Sequence, residues 1–172
     1  MPKVHFVKAA RKDNSAVKAG EPYFWWKFRH GGKRYSKTRP RASQLTQSEK
    51  LSRAYELAER LEDIPREVEP VKEALQEAVE NATSELQEVA EEVRNLAEEY
   101  RESAENIRSS FTESATADEC DEKADNLDSW ADEIEAAQSE LEGIDFSDAA
   151  LDLDGAVSTF HSALGCAESC PL

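Results

Sequence analysis

The chain has 172 residues, with 37 Asp and Glu against 21 Lys and Arg, a formal net charge of −16. No apolar run approaches the roughly 20 residues that span a bilayer, and no basic segment followed by an apolar one opens the chain, so a soluble, cytoplasmic protein is expected. Three cysteines, two of them among the last seven residues, do not make a disulfide framework.

The charge is unevenly distributed. Residues 1–42 hold 12 Lys and Arg against Asp13 and Glu21, a net of +10, while residues 43–172 hold nine against 35 Asp and Glu, a net of −26. Such a contrast points to separate tasks for the two segments. The texture changes at the same place, from aromatic residues and Gly-Gly to the Ala, Leu, Glu and Gln of good helix formers. The predicted fold class is α+β: a basic β-sheet head of two or three antiparallel strands with a first helix over residues 1–64, then an acidic helical coiled coil or antiparallel bundle over residues 65–172.

In chain order, Lys3-Val4-His5-Phe6-Val7-Lys8 is a plausible strand, and residues 9–21 look like a mobile basic loop. Tyr23 to Arg29 is a strand by composition, Gly31-Gly32 suits a tight turn, and Lys33 to Thr38 returns before Pro40. A two-residue turn would set Phe28 opposite Tyr35 and Trp25 opposite Thr38. Alternation places Phe24, Trp26 and Phe28 on one face and Tyr23, Trp25, Lys27 and Arg29 on the other, the latter continuing into Arg34. Cationic side chains neutralise phosphates and release counterions, a two-stranded ribbon fits the DNA major groove, and an exposed aromatic ring can stack on an unpaired base. The candidate nucleic-acid-binding residues are therefore Tyr23, Trp25, Lys27, Arg29, Lys33, Arg34, Lys37, Arg39 and Arg41. A solvated hairpin whose aromatic residues are simply its core fits the same pattern.

The run Trp26-Lys27-Phe28-Arg29-His30-Gly31-Gly32-Lys33-Arg34-Tyr35-Ser36-Lys37-Thr38, with a helix close behind, resembles the N-terminal arm-binding modules of tyrosine recombinases. The resemblance covers about a third of the chain and implies a three-stranded sheet with one helix that contacts DNA through the sheet. The remaining two thirds of the chain leave no room for a catalytic recombinase domain. The whole chain is similar to small, uncharacterised proteins of bacteriophages, which implies a phage or prophage origin.

Thr46-Gln47-Ser48-Glu49 has capping-box spacing and predicts a helix over about 46–63, with Leu51, Ala54, Leu57, Ala58 and Leu61 as its apolar stripe, broken by Pro65 and Pro70. A long helix should run from Pro70 to about Ser109. Its apolar positions keep a seven-residue period in two series: Leu75, Ala82, Val89, Leu96, and Val79, Leu86, Val93, Tyr100, Ile107. Four heptads of this kind argue for a coiled coil, a rod of about 57 Å that cannot bury its seam alone. A third helix, about 117–142, carries Cys120, Leu127, Ile134 and Leu141 with Ala124, Ala131 and Gln138, and stops at Gly143. Ser147 is expected to cap a last helix ending at Gly165, with Leu153, Val157, Phe160 and Leu164 as its stripe. An antiparallel pairing of the second and third helices is the simplest packing, with a homodimer as a further expectation.

Catalytic chemistry is mostly absent from the sequence. Glu91-Glu92, Glu98-Glu99 and Asp118-Glu119 read as a solvated helix surface, and no glycine-rich phosphate loop, nucleophile elbow or HExxH occurs. His161, Cys166 and Cys170, with Cys120, offer zinc ligands, but only Cys166 and Cys170 have a clip-like spacing, and no metal or cofactor is expected. Asp152-Leu153-Asp154-Gly155 has part of a calcium-loop spacing, but Ala150 and His161 would fall at its first and last ligand positions.

Three functions fit. The first is a non-enzymatic nucleic-acid-binding protein, with DNA, structured RNA or ribosomal RNA as partner and acidic helices that oligomerise or meet a protein. The second is a phage-type inhibitor or adaptor whose acidic helices mimic nucleic acid on a host protein. The third is a structural bundle of a virion or scaffold. None calls for a membrane or a small-molecule substrate.

Overall fold

Three antiparallel strands open the chain and four α-helices follow, an α+β arrangement described by a computed structural model over residues 1–111, 113–148, 151–167 and 170–172. The strands are β1 (His5–Val7), β2 (Tyr23–Lys27) and β3 (Lys33–Ser36), and the helices are α1 (Glu49–Glu62), α2 (Lys72–Ser110), α3 (Ala115–Glu142) and α4 (Leu153–Ala167). A short 3₁₀ helix, Ala42–Leu45, precedes α1. Two compact units result, Met1–Glu56 and Leu57–Leu172. The division falls inside α1, ahead of the 64/65 position suggested by the prolines, because Leu57, Ala58, Leu61 and Ile64 are buried with the helical unit.

In the first unit β2 is the central strand, flanked by β1 and β3. The register is Trp25 opposite Tyr35 and Lys27 opposite Lys33, not the one a two-residue turn would give. The connection spans Phe28 to Gly32, and the Gly31 N–H donates to the Phe28 carbonyl at 3.4 Å, so the Gly-Gly pair closes a longer loop. Residues 9–21 form a loop, as expected, and local hydrogen bonds tie it together. Asn14 Oδ1 accepts from the Ala16 and Val17 N–H groups at 2.9 and 3.1 Å, and Asp13 Oδ1 accepts from the Ala19 N–H at 2.8 Å. Backbone bonds between Ala10 and the Gly20–Glu21 pair tie the base. Gly20 has a φ of +91°, a conformation open to glycine and strained for other residues. Ala10, Val17, Trp26 and Pro40 are buried apolar residues of this part of the chain.

The start of α1 lies two residues beyond the capping-box expectation. The 3₁₀ helix occupies the residues just before it, Thr46 Oγ1 accepts from the Ser48 N–H at 3.2 Å, and Ser48 Oγ accepts from the Leu51 N–H at 3.4 Å. Ser48 therefore takes the capping role. Ser52 Oγ donates to the Ser43 carbonyl at 3.0 Å and ties the 3₁₀ helix to α1.

In the second unit the heptad seam is the core. Leu75, Val79, Ala82, Leu86, Val89, Val93, Leu96 and Tyr100 are all buried on α2, with Ile107 half-buried at its end. On α3, Leu127, Ile134, Leu141, Ala124 and Ala131 are buried as the spacing predicted, joined by Ala117, Trp130 and Ala137. Cys120 and Gln138 are only half-buried.

The antiparallel pairing of α2 and α3 is written in ion pairs. Arg108 reaches Asp118 and Asp121 at 2.9 and 2.5 Å, Arg101 reaches Asp125 and Asp128, and Arg94 reaches Asp132 and Glu135, each at 2.8 Å. The arginines ascend by seven while their partners descend by seven, as antiparallel heptads require. Arg60 of α1 extends the pattern to Glu85, Glu88 and Glu92 at 2.7, 3.2 and 2.6 Å.

α4 docks through Phe160, Ala163, Leu164 and Ala167, and the buried Trp130 Nε1 donates to the Ala167 carbonyl at 2.8 Å. Ser147 does not cap it. Its N–H and hydroxyl both donate to Asp145 Oδ1, at 2.8 and 2.6 Å, and hold that carboxyl below its ordinary range. The helix begins later, with the Asp152 carboxylate over its first turn, 2.7 Å from where a Cβ on Gly155 would lie. Among the described residues, no helix is long and apolar enough to cross a membrane.

Candidate nucleic-acid interface

Residues directly opposite in an antiparallel sheet share a face. The register therefore collects His5, Val7, Tyr23, Trp25, Lys27, Lys33 and Tyr35 on one face, and Phe6, Phe24, Trp26, Arg34 and Ser36 on the other. The second face carries the buried Trp26, at 5% exposure. The first face is basic and aromatic: its rings are half-buried among one another and both lysines are exposed.

Trp25 is the centre of that face. The His5 imidazole stacks on it with ring centroids 4.3 Å apart and planes 10° from parallel. Lys33 Nζ lies 4.5 Å from the same centroid. With the imidazole on one side, the ammonium has only the other, a cation–π contact worth about 0.5–1 kcal/mol at an exposed site. Both π-faces of Trp25 are thus occupied, one from each flanking strand. Tyr23 and Tyr35 form a tilted pair at 6.0 Å beside it.

Of the nine candidate residues, the sheet brings Tyr23, Trp25, Lys27 and Lys33 together. Arg34, expected beside Trp25, pairs with Trp26 and so belongs to the opposite face. The longer connection shifts the register by an odd number of residues, and a period of two turns that shift into a change of face. Arg29 is exposed in the Phe28–Gly32 connection, and Lys37 and Arg39 are exposed beyond β3. Lys37 makes a long surface ion pair with Glu21 at 3.7 Å. The Arg41 N–H donates to Gln44 Oε1 at 3.3 Å, which places Arg41 at the entry of the 3₁₀ helix. His5 and Tyr35 join the face although the sequence pattern did not single them out. The β1 register against Trp25 identifies the first, and the corrected β3 register the second.

Counted over the compact units, the charge contrast persists: 14 Lys and Arg against four Asp and Glu in the first, and seven against 33 in the second. No group of three or more His, Cys, Asp or Glu side chains is arranged to hold a metal ion among the described residues. Of the zinc-ligand candidates, His161 Nε2 lies 2.8 Å from the Arg66 carbonyl oxygen, and burial pushes the Cys170 thiol above its ordinary pKa. Ala150, the first position of the calcium-loop spacing, lies outside the described residues. No family model matches the chain, and neither does a curated protein or a solved structure.

Proposed function

We propose that the chain is a non-enzymatic nucleic-acid-binding protein of phage type, in which the basic aromatic face of the sheet contacts the phosphate backbone and the acidic helical unit serves protein contact. One observation carries this reading: Lys27 and Lys33 are neighbours on a face that also carries His5, Val7, Tyr23, Trp25 and Tyr35, within a unit of net charge +10. Lysines held on a ribbon at strand spacing present ammonium groups to a row of phosphates, and the counterions released supply the affinity. Because both faces of Trp25 are engaged, its part is to hold Lys33 and His5 in place, and base stacking is not part of the reading.

The test is a titration of the full chain against a labelled DNA duplex, a DNA single strand and an RNA hairpin at about 50–300 mM salt. Binding that weakens steeply with salt is the expected result. Absence of binding to all three at the lowest salt would overturn the proposal.

A further inference from the structure

Extrapolated from the arginine ladder, the α2–α3 register brings the end of α3, Glu142, level with about residue 86 of α2. The first turns of α2 extend past that end. There a groove of about 630 Å³ lies between α2 and the segment that follows α1. Its α2 wall is formed by Ala74 and Ala78, one turn apart, with the buried Ala82 a turn further on, and Pro65 and Val68, backed by the buried Ile64, form the other side. Small side chains in such a row let another backbone approach closely, and the residues opposite supply apolar area. The groove is rimmed by Asp63, Glu67, Glu69, Glu77 and Glu85, with Arg60 as the one cation among its lining residues. That guanidinium already answers Glu85, Glu88 and Glu92.

We infer that this groove docks a cationic amphipathic helix of a partner protein, of about three to four turns, apolar along one side and carrying Lys or Arg on both flanks. The choice of occupant rests on charge complementarity. An apolar floor between acidic walls rewards a ligand that is apolar in the middle and positive at the edges. A second copy of this chain is a poorer fit, because its own helices carry the same excess of carboxylates and like charges would meet across the groove. The inference extends the protein-contact role of the helical unit and involves no residue of the sheet.

The test uses the full chain and a fluorescein-labelled 14-residue peptide, with Leu and Ala on one helical face and Lys on the other, compared with a scrambled peptide of the same composition. Anisotropy is measured at 50 mM salt for the wild type, Ala78→Trp, Glu77→Lys, and Glu98→Lys as a charge-matched control away from the groove, with helicity of each checked by circular dichroism. The amphipathic peptide should bind more tightly than the scrambled one. Glu77→Lys should weaken it on the order of fivefold, Ala78→Trp should weaken it at least as much by filling the groove, and Glu98→Lys should leave it nearly unchanged. Equal binding of both peptides, equal loss from Glu77→Lys and Glu98→Lys, no effect of Ala78→Trp, or no binding at all would overturn the inference. So would a wild-type dimer that Ala78→Trp converts to a monomer, since the occupant would then be a second copy.

Discussion

At the scale of single residues, the proposed binding to phosphates turns on which side of the sheet a cation occupies. Lys33 and Arg34 are adjacent in sequence, yet Lys33 shares the face of Trp25 while Arg34 shares that of the buried Trp26. Lys33→Ala should weaken binding to every nucleic acid tested and lower the salt slope by about 1, while Arg34→Ala should change the slope much less. Equal effects would place both cations on phosphates and contradict the assigned face. Trp25→Ala should cost the same fraction of affinity on duplex and on single strand, because the ring holds His5 and Lys33; a larger loss on single strands would instead reveal base stacking. The aromatic and basic composition of this site was legible in the sequence. Its membership was not, because faces follow from register, and register depended on a connection that Gly31-Gly32 alone does not define. His5 carried no signal of its own because a three-residue strand acquires meaning only through its partner.

At the scale of elements, the helical pair shows how much periodicity can specify. The two heptad series of α2 predicted a seam, and its members from Leu75 to Tyr100 are buried, because a seven-residue repeat keeps one stripe facing one neighbour. Leu96, fully buried, lies in the middle of that seam; Leu96→Ala should lower the unfolding free energy by about 2–5 kcal/mol, measured by chemical denaturation. Trp130→Phe, which strands the Ala167 carbonyl, should cost about 1–3 kcal/mol and loosen α4 first, as amide exchange can show. The arginine ladder was equally present in the sequence, as Arg94, Arg101 and Arg108 against acidic pairs repeating every seven residues, but polar periodicity is overlooked when only apolar positions are tracked. Beside Arg94 the Glu135 carboxyl is held below its ordinary value of 4.5. Its contribution is therefore complete above the unfolded carboxylate's pKa and is lost as pH falls through the lower folded value. Thermal scans from about pH 6 down to about pH 2.5 should show the wild type losing stability more steeply below about pH 4.5 than Glu135→Gln; identical profiles would contradict the sign. The expected caps at Thr46 and Ser147 failed for a common reason: short polar side chains bond their nearest neighbours, and Ser48 and Asp145 were nearer.

For the whole molecule, a net charge of −16 describes neither part. The division into Met1–Glu56 and Leu57–Leu172 leaves +10 on one unit and −26 on the other, so the average conceals a strongly basic unit and an acidic unit whose carboxylates are partly consumed by its own arginines. The contrast itself was legible from composition. Which carboxylates the ladder consumes depended on how α1, α2 and α3 pack, which composition does not contain. The proposed contact of the sheet's lysines with phosphates is tested by the salt dependence of duplex binding for the full chain and for the double variant Lys27→Ala/Lys33→Ala. Phosphate contact predicts a steep negative slope for the wild type that becomes shallower by about 2 in the double variant; an unchanged slope, with affinity intact, would contradict it.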